Sequence, residues 1–135
     1  MNKLLFLALL LAATTPAWSA TPRELLDSYT TEAARLAPGF EASAQRGAQF
    51  YSKRFGVSPQ MPACSTCHNE TPAEPGRHAI TGKTIQPLSP RAEGSRFSDV
   101  AKVEKWFRRN CGEVLGRACS AAEKADFLRY LAEAK

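Results

Sequence analysis

The chain has 135 residues, of which 18 are Lys or Arg and 13 are Asp or Glu, giving a formal net charge of +5. This length predicts a single domain. The mild basic excess suits docking to an acidic protein. Basic pairs such as Lys53-Arg54 and Arg108-Arg109 are typical of solvated helix faces. No interleaved aromatic and basic pattern indicates nucleic-acid binding.

The start of the chain has the pattern of a secretory signal peptide. A short basic start precedes the apolar run Leu4–Ala13, which is short for a retained membrane-spanning anchor. Ala17 and Ser19 satisfy the small-residue rule for cleavage, which predicts a cut between Ser19 and Ala20. The mature domain is then residues 20–135. A signal peptide implies export to the periplasm, where disulfides persist, with no membrane span left after cleavage.

Two helices are predicted at the start of the mature chain. The first begins after Thr21, where Glu24 completes a capping box, and it ends at Pro38-Gly39. The second covers residues 43–55 and contains Gly47. A glycine inside a helix costs about 1 kcal/mol relative to alanine. The close approach of another helix would explain it.

The pentapeptide Cys64-Ser65-Thr66-Cys67-His68 has the spacing of a c-type haem attachment site. Two intervening residues let both cysteine sulfurs reach the two porphyrin vinyl groups from one turn. The following His68 is then the predicted proximal iron ligand. A zinc site would need a second ligand pair, and a dithiol redox site would follow a βαβ pattern. Because neither is visible, the motif predicts one covalent haem c.

Residues 69–96 are rich in proline and glycine and show no helix or strand period. A free loop of this length is unusual in a small domain, and wrapping a haem edge would explain it. The candidate contacts with the ring are Ile80, Ile85, Leu88 and Phe97.

Two further helices are predicted at the end of the chain. The third begins at Ser98 as N-cap and ends near Asn110 and Cys111, with Gly112 as terminator. The last begins with the capping box Ser120–Glu123.

The helix with Gly47 and Tyr51, the haem motif and the C-terminal Leu128–Leu131 stretch together resemble class I cytochrome c. This implies an all-α, class I cytochrome c-like fold with an added N-terminal helix. A methionine as sixth iron ligand is absent, since no Met follows His68.

The runs Val103–Cys111 and Leu115–Cys119 resemble a narrower family, the sphaeroides haem protein (SHP) family, which includes cytochrome c-double-prime. Glu123-Lys124 and Thr81-Gly82-Lys83 match it as well. The resemblance implies a disulfide between Cys111 and Cys119, with Asn110 as the distal iron ligand. A neutral amide oxygen can bind ferric iron but suits ferrous iron poorly, so we expect reduction to release Asn110 and to let a diatomic ligand such as oxygen or nitric oxide bind. The resemblance also points to a dihaem cytochrome c as redox partner.

Three alternatives remain open at this stage. Asn110 has a purely structural interpretation as a helix C-terminal cap. His78, the other histidine of the chain, would give a bis-histidine haem instead. The protein is also a candidate for a small haem enzyme acting on oxygen, peroxide or nitric oxide. No distal acid–base pair is evident, so a ligand-binding electron carrier is favoured and no catalytic residue is assigned.

Overall fold

A computed structural model of the protein describes residues 19–135. The predicted leader lies almost wholly outside the described residues, and its cleavage stays a prediction. No helix in this part of the chain is long and apolar enough to cross a membrane. The all-α class is confirmed, and the elements are α1 (Pro22–Leu36), α2 (Ala44–Ser52), α3 (Ser65–His68), β1 (Gly76–Arg77), β2 (Thr84–Ile85), α4 (Val100–Leu115) and α5 (Ala121–Glu133).

Helix α1 begins as its sequence predicts. The Thr21 hydroxyl accepts a hydrogen bond from the Glu24 N–H at 3.2 Å, and the Glu24 carboxylate accepts one from the Thr21 N–H at 2.7 Å. This capping box satisfies backbone donors that the first turn would leave without partners. The helix packs on α4 and α5 in a buried cluster of Leu25, Leu26, Tyr29, Val103, Ala125 and Leu128.

Helix α2 crosses α5 at Gly47. A Cβ atom added to Gly47 would overlap the Asp126 carbonyl oxygen and would lie 2.7 Å from the Tyr130 Cβ. Carbon atoms in contact are normally about 3.5–4.0 Å apart, so no larger residue fits here without moving a helix. The close approach inferred from the sequence is therefore confirmed. The helix ends at Ser52 rather than Phe55, because the Phe55 N–H donates instead to the Pro62 carbonyl at 2.9 Å.

A buried carboxylate reinforces this crossing. Asp126 is 6% exposed and accepts hydrogen bonds from the Ser43 N–H at 2.7 Å and from the Arg46 guanidinium at 2.8 Å. Ser43 is also the N-cap of α2. The Asp126 side chain therefore connects the first turn of α2 to α5, and its charge is paired, as a buried charge must be.

Helix α4 is longer than predicted at its C-terminal end. Its N-cap is Asp99 rather than Ser98, and it continues through Gly112 to Leu115 before Gly116 ends it with φ 72°. Burial of Val114 and Leu115 outweighs the modest cost of a glycine inside the helix.

This length changes the interpretation of Asn110. The residue lies more than a turn before the end of α4, so the interpretation of Asn110 as the C-terminal cap is wrong. The capping position belongs to Gly116, because a left-handed backbone conformation is available to glycine at little cost.

Helix α4 is held to the rest of the domain by a polar cluster. Glu104 accepts a hydrogen bond from the Tyr29 hydroxyl and forms an ion pair with Lys124 at 2.8 Å. Burial alone would raise the pKa of Glu104, but hydrogen bonds from Lys124 and Tyr29 outweigh it, and the pKa lies below its usual value. One carboxylate thus joins three helices.

The segment 69–96 contains an element that its sequence does not reveal. Strands β1 and β2 form an antiparallel hairpin in which Gly76 pairs with Ile85 and Arg77 with Thr84. The prediction that this segment has no strand was therefore wrong. Two residues per strand are too few for an alternating pattern to be visible. The buried Ser89 hydroxyl donates to the Ala134 carbonyl at 3.0 Å, which fixes the end of the segment on α5.

The remaining cysteines form the predicted disulfide. Cys111 in α4 is bonded to Cys119, just before α5, with a sequence separation of 8. A loop of this size stabilises the fold by roughly 2.5 kcal/mol in the chain-entropy model. The bond joins α4 to α5 directly after Asn110.

We expect Gly47→Ala to lower the free energy of unfolding by about 1–3 kcal/mol, because its methyl group would overlap the backbone of α5. Urea denaturation of the purified holoprotein would measure the loss.

The matched control is Gly112→Ala, since Gly112 lies within α4 and a Cβ there meets no atom within 4 Å. This change should stabilise the protein by up to about 1 kcal/mol through helix propensity. Equal effects of the two substitutions would contradict a close crossing at Gly47.

We expect Glu104→Gln to destabilise the protein mainly above the usual pKa of a glutamate. Because the folded-state pKa of Glu104 is lowered, its contribution is fully present above the unfolded pKa and is lost as the pH falls through the folded pKa. The difference in unfolding free energy between wild type and variant should therefore shrink from pH 7 toward pH 3. Glu32→Gln, at an exposed position of α1, is the control. A difference in unfolding free energy between wild type and Glu104→Gln that does not change with pH would contradict this role of Glu104.

Candidate haem site

The haem motif folds into a single helical turn, α3. The Cys64 carbonyl accepts hydrogen bonds from the Cys67 N–H at 3.3 Å and the His68 N–H at 3.1 Å. Cys64 and Cys67 thus lie one turn apart, with His68 directly after them. Both thiols are free, so the chemistry for two thioether bonds is available.

Tyr51 of α2 holds this turn in place. Its side chain is 1% exposed, and its hydroxyl donates toward the carbonyl oxygens of His68, at 3.0 Å, and of Asn69. Burial raises the pKa of Tyr51, so that the hydroxyl keeps its proton as a donor. Asn69 ends the turn with φ 68° and ψ 164°, a backbone conformation that residues other than glycine rarely adopt.

The β1–β2 hairpin packs against the other side of the turn. A Cβ atom on Gly76 would overlap the Cys67 carbonyl oxygen and would lie 2.8 Å from the His68 Cα. The Ala79 N–H donates to the Cys67 sulfur at 3.3 Å. Glycine at position 76 therefore lets the hairpin backbone lie directly on the haem turn, a role that the sequence alone did not reveal.

Burial sets the protonation of the haem-binding side chains. It raises the pKa of the Cys64 thiol to about 11. Burial also lowers the pKa of His68 to about 4, assisted by the positive charge of Arg96. The His68 imidazole is therefore neutral at pH 7, which is the form that binds a metal.

Apolar side chains surround the cysteines of the turn. A cluster of Tyr51, Phe127 and Leu131 is covered by partly buried residues that include Cys64, Leu88, Phe97 and Phe107. Leu88 and Phe97, two of the predicted ring contacts, thus share a surface with the first cysteine. Of the other two predicted ring contacts, Ile80 is 63% exposed and Ile85, on β2, is partly buried.

Phe97 has an unusual backbone conformation, with φ 62°. An aromatic residue rarely adopts this left-handed region, and such strain persists only where the surroundings enforce it. Here the ring packs against both core clusters, next to Phe107 of α4. No local sequence signal would have predicted it.

Arg96 is a second feature that sequence reasoning missed. Its guanidinium donates to the carbonyl oxygens of Pro87 and Gln86, each at 2.6 Å, and burial lowers its pKa. Within the described chain it forms no ion pair with a carboxylate, although it is partly buried. Glu93 acts on the Arg96 charge without forming an ion pair, and that charge in turn acts on His68. A partly buried cation that pairs with no carboxylate is suited to a haem propionate.

Asn110 lies on the inner side of α4. It follows Phe107 by one turn and precedes the buried Cys111, and it is partly buried itself. Phe107 packs on the same cluster as Cys64. The inner side of α4 therefore faces the apolar surface beside the haem turn, with Asn110 among its few polar side chains.

His78 lies in the hairpin, next to Ala79, which bonds to Cys67. Its Nδ1 atom accepts hydrogen bonds from the N–H groups of Ile80 at 3.2 Å and Thr81 at 3.3 Å. The imidazole is thus part of the hairpin turn. These bonds oppose the movement that iron ligation by His78 would need.

Together these residues fit a covalently bound haem. The two free thiols, the neutral imidazole, the apolar side chains and the unpaired Arg96 match respectively its vinyl groups, iron, ring and propionates. Among the described residues, no group of three or more His, Cys, Asp and Glu side chains forms a separate metal site.

Comparison with known proteins agrees with this site. A family described as a domain of unknown function (DUF1924) matches residues 38–131. The cytochrome c-type protein SHP of Cereibacter sphaeroides is 44% identical over 133 residues, which cover 98% of each chain.

Solved structures show the same relationship. One is described as oxidised SHP, an oxygen-binding cytochrome c, and it matches with a TM-score of 0.74 and 43% identity over 84% of this chain and 97% of that one. A solution structure of cytochrome c'' from Methylophilus methylotrophus, described as giving insights into haem-ligand detachment, has a TM-score of 0.74 and 38% identity over 83% and 92% of the two chains. The chain therefore belongs to the SHP family of monohaem c-type cytochromes, which carry covalently bound haem c.

Proposed function

We propose that the protein is an exported electron carrier whose haem iron is ligated by His68 and Asn110, and that reduction releases Asn110 and opens a site for a diatomic ligand. The observation that carries the proposal is the position of Asn110. It lies inside α4, where it has no capping role, three residues after Phe107, which packs on the same cluster as Cys64. A haem held by these residues would supply one-electron chemistry at its iron.

Cys64 and Cys67 would hold the porphyrin through two thioether bonds, and the neutral His68 would bind the iron from the proximal side. Tyr51 and Gly76 keep the backbone of this turn fixed from both sides. These contacts would keep His68 in place whether or not Asn110 is bound.

The chemistry of Asn110 favours a bond that depends on oxidation state. Its amide oxygen is a hard, neutral donor, which suits ferric iron better than ferrous iron. Imidazole nitrogen suits both, so His68 would remain bound in the two states. Loss of Asn110 would leave one coordination position free for oxygen or nitric oxide.

The descriptions of two relatives support this chemistry. One relative is described as an oxygen-binding cytochrome c, and the other is described in terms of haem-ligand detachment. Both descriptions fit a distal ligand that leaves its position. The Cys111–Cys119 disulfide, which begins one residue after Asn110, would limit the movement to the side chain.

Three features are consistent with an extracytoplasmic carrier. The predicted leader, a disulfide and a c-type haem all belong to that environment. We propose a periplasmic location, and a dihaem cytochrome c as redox partner.

Haem attachment is tested on exported protein. We expect a peptide spanning residues 64–68 to carry the mass of one haem, and the haem to stay with the protein on acid–acetone extraction. Cys111 and Cys119 should be recovered as one linked peptide pair without reduction. Haem found in the organic phase would show that Cys64 and Cys67 are not attached.

Asn110→His should convert the ferric haem to a low-spin bis-histidine type, because imidazole is the stronger-field ligand. The reduced variant should bind carbon monoxide more slowly than wild type, since imidazole nitrogen competes for ferrous iron better than an amide oxygen does. Absorption spectra of both oxidation states and stopped-flow mixing with carbon monoxide measure these changes.

The matched control is His78→Ala, compared with Asn110→Ala in the ferric spectrum. Only Asn110→Ala should alter the distal ligation, because the His78 imidazole is hydrogen-bonded within its hairpin. If His78→Ala alone changes the spectrum, the bis-histidine interpretation is correct and Asn110 is not the ligand.

A further inference from the structure

The outer side of α4 carries a dense group of basic residues around one exposed aromatic ring. Four cations lie within three turns, while the apolar residues of the same helix point inward. We call this surface the basic face, and it consists of Lys102, Lys105, Trp106, Arg108 and Arg109, all of them exposed.

Trp106 is the notable member of the basic face. It is 43% exposed, and the Arg109 guanidinium lies 5.6 Å from the centre of its ring. Tryptophan and arginine are the residues most enriched in binding hot spots, where a large flat side chain loses its water on contact. The pair of Trp106 and Arg109 places such a side chain at the middle of the outer surface of α4.

The positive charge of this face is largely uncompensated. Glu113 pairs with Arg109 at 3.0 Å. Glu104 is paired with Lys124 and hydrogen-bonded by Tyr29, and the charge of Arg108 acts on it without forming an ion pair. Among the residues that the structure describes, the other three cations, Lys102, Lys105 and Arg108, take part in no ion pair.

Like charges one turn apart repel each other on a helix. An anionic surface that docks here would relieve that repulsion and would also be attracted from a distance.

We propose that the basic face is the docking surface for an acidic redox-partner protein. Transient electron-transfer complexes are small, below about 1,200 Å² of total buried surface, which one side of a four-turn helix provides. Charge complementarity in such complexes mainly raises the rate of encounter, and the aromatic centre fixes the complex.

The basic face also lies close to the proposed redox centre, and in this respect the inference rests on the proposed function. Asn110 and Phe107 project from the inner side of α4, while Trp106 projects from the outer side. A helix with its side chains is about 10–12 Å across. A protein docked on Trp106 would therefore be separated from the haem by little more than one helix.

An anionic membrane surface is the less suitable occupant. A helix that lies in a membrane interface needs an apolar side to insert among the lipids. The apolar side of α4, with Val103, Cys111, Val114 and Leu115, is buried inside the domain. Only Trp106 remains on the outside, which is enough for a protein hot spot and too little for insertion.

The competing protein surface is the hairpin. Ile80 is 63% exposed at its tip, between Arg77 and Lys83, and the neighbouring Ala79 bonds to Cys67. The hairpin has fewer cations than the basic face and no exposed aromatic residue. The experiment therefore includes it as a separate variant.

The test measures the second-order rate constant for reduction of the ferric holoprotein by a reduced flavodoxin of net negative charge, in stopped flow. Lys105→Glu/Arg108→Glu should slow the reaction at low ionic strength by tenfold or more, on the order expected for steering. The difference should fade at high salt. Trp106→Ala should weaken the saturable complex by about tenfold, as expected for a hot spot.

Lys53→Glu/Arg54→Glu is the matched control, because it changes the net charge equally at an exposed dibasic pair outside α4. It should slow the reaction only slightly. Reduction by neutral lumiflavin semiquinone should be the same for all variants. Equal slowing by the two double variants would show a mere net-charge effect and would overturn the proposal.

Two further outcomes would also overturn it. Slowing by Arg77→Glu/Lys83→Glu, with no effect of the α4 changes, would assign docking to the hairpin. Binding to phosphatidylglycerol vesicles that depends on Lys105 and Arg108, with an unchanged flavodoxin rate, would assign the face to a membrane. The absorption spectra of the Asn110 variants are independent of these rates, so failure of the ligation proposal would be recognised separately.

Discussion

The contact of α2 with α5 at Gly47 determines where the haem turn can lie. Because no side chain separates the two backbones there, Tyr51, one turn later, is buried with its ring centre 6.2 Å from that of Phe127. From this depth its hydroxyl reaches the His68 carbonyl. A wider crossing would withdraw Tyr51 and leave the turn without its main hydrogen-bond donor. The position of His68 thus depends on the absence of a side chain at Gly47.

Helix α4 is attached to this base in a different way. A polar cluster around Glu104 holds its first half, and the Cys111–Cys119 disulfide holds its second half. The stretch from Phe107 to Asn110 lies between these two anchors. A side chain mounted there can change partners without moving the helix, which is what the proposed release of Asn110 requires. The disulfide then serves both stability and positioning.

Burial and charge have different roles inside the domain and on the outer surface of α4. Inside, burial keeps His68 neutral and leaves Arg96 with only carbonyl partners, a combination that suits a ligand with one metal ion and two carboxylates. Outside, the basic face of α4 keeps its charges in water. The same helix would therefore serve ligand exchange on one side and partner docking on the other, because its two sides have opposite polarity.

Local chemistry explains which parts of this molecule could be predicted from sequence. The capping boxes at Thr21 and Ser120, the haem pentapeptide and the constraint at Gly47 each act over a few residues, so their meaning is legible in the chain itself. The family resemblance added two predictions, the disulfide and Asn110 as the distal iron ligand. The end of α4, the hairpin and the role of Arg96 were decided only by tertiary structure. Helix α4 passes Gly112 because distant side chains bury its last turn, and Arg96 matters because the fold carries it to His68. Such contacts join residues far apart in the sequence, and no local pattern encodes them.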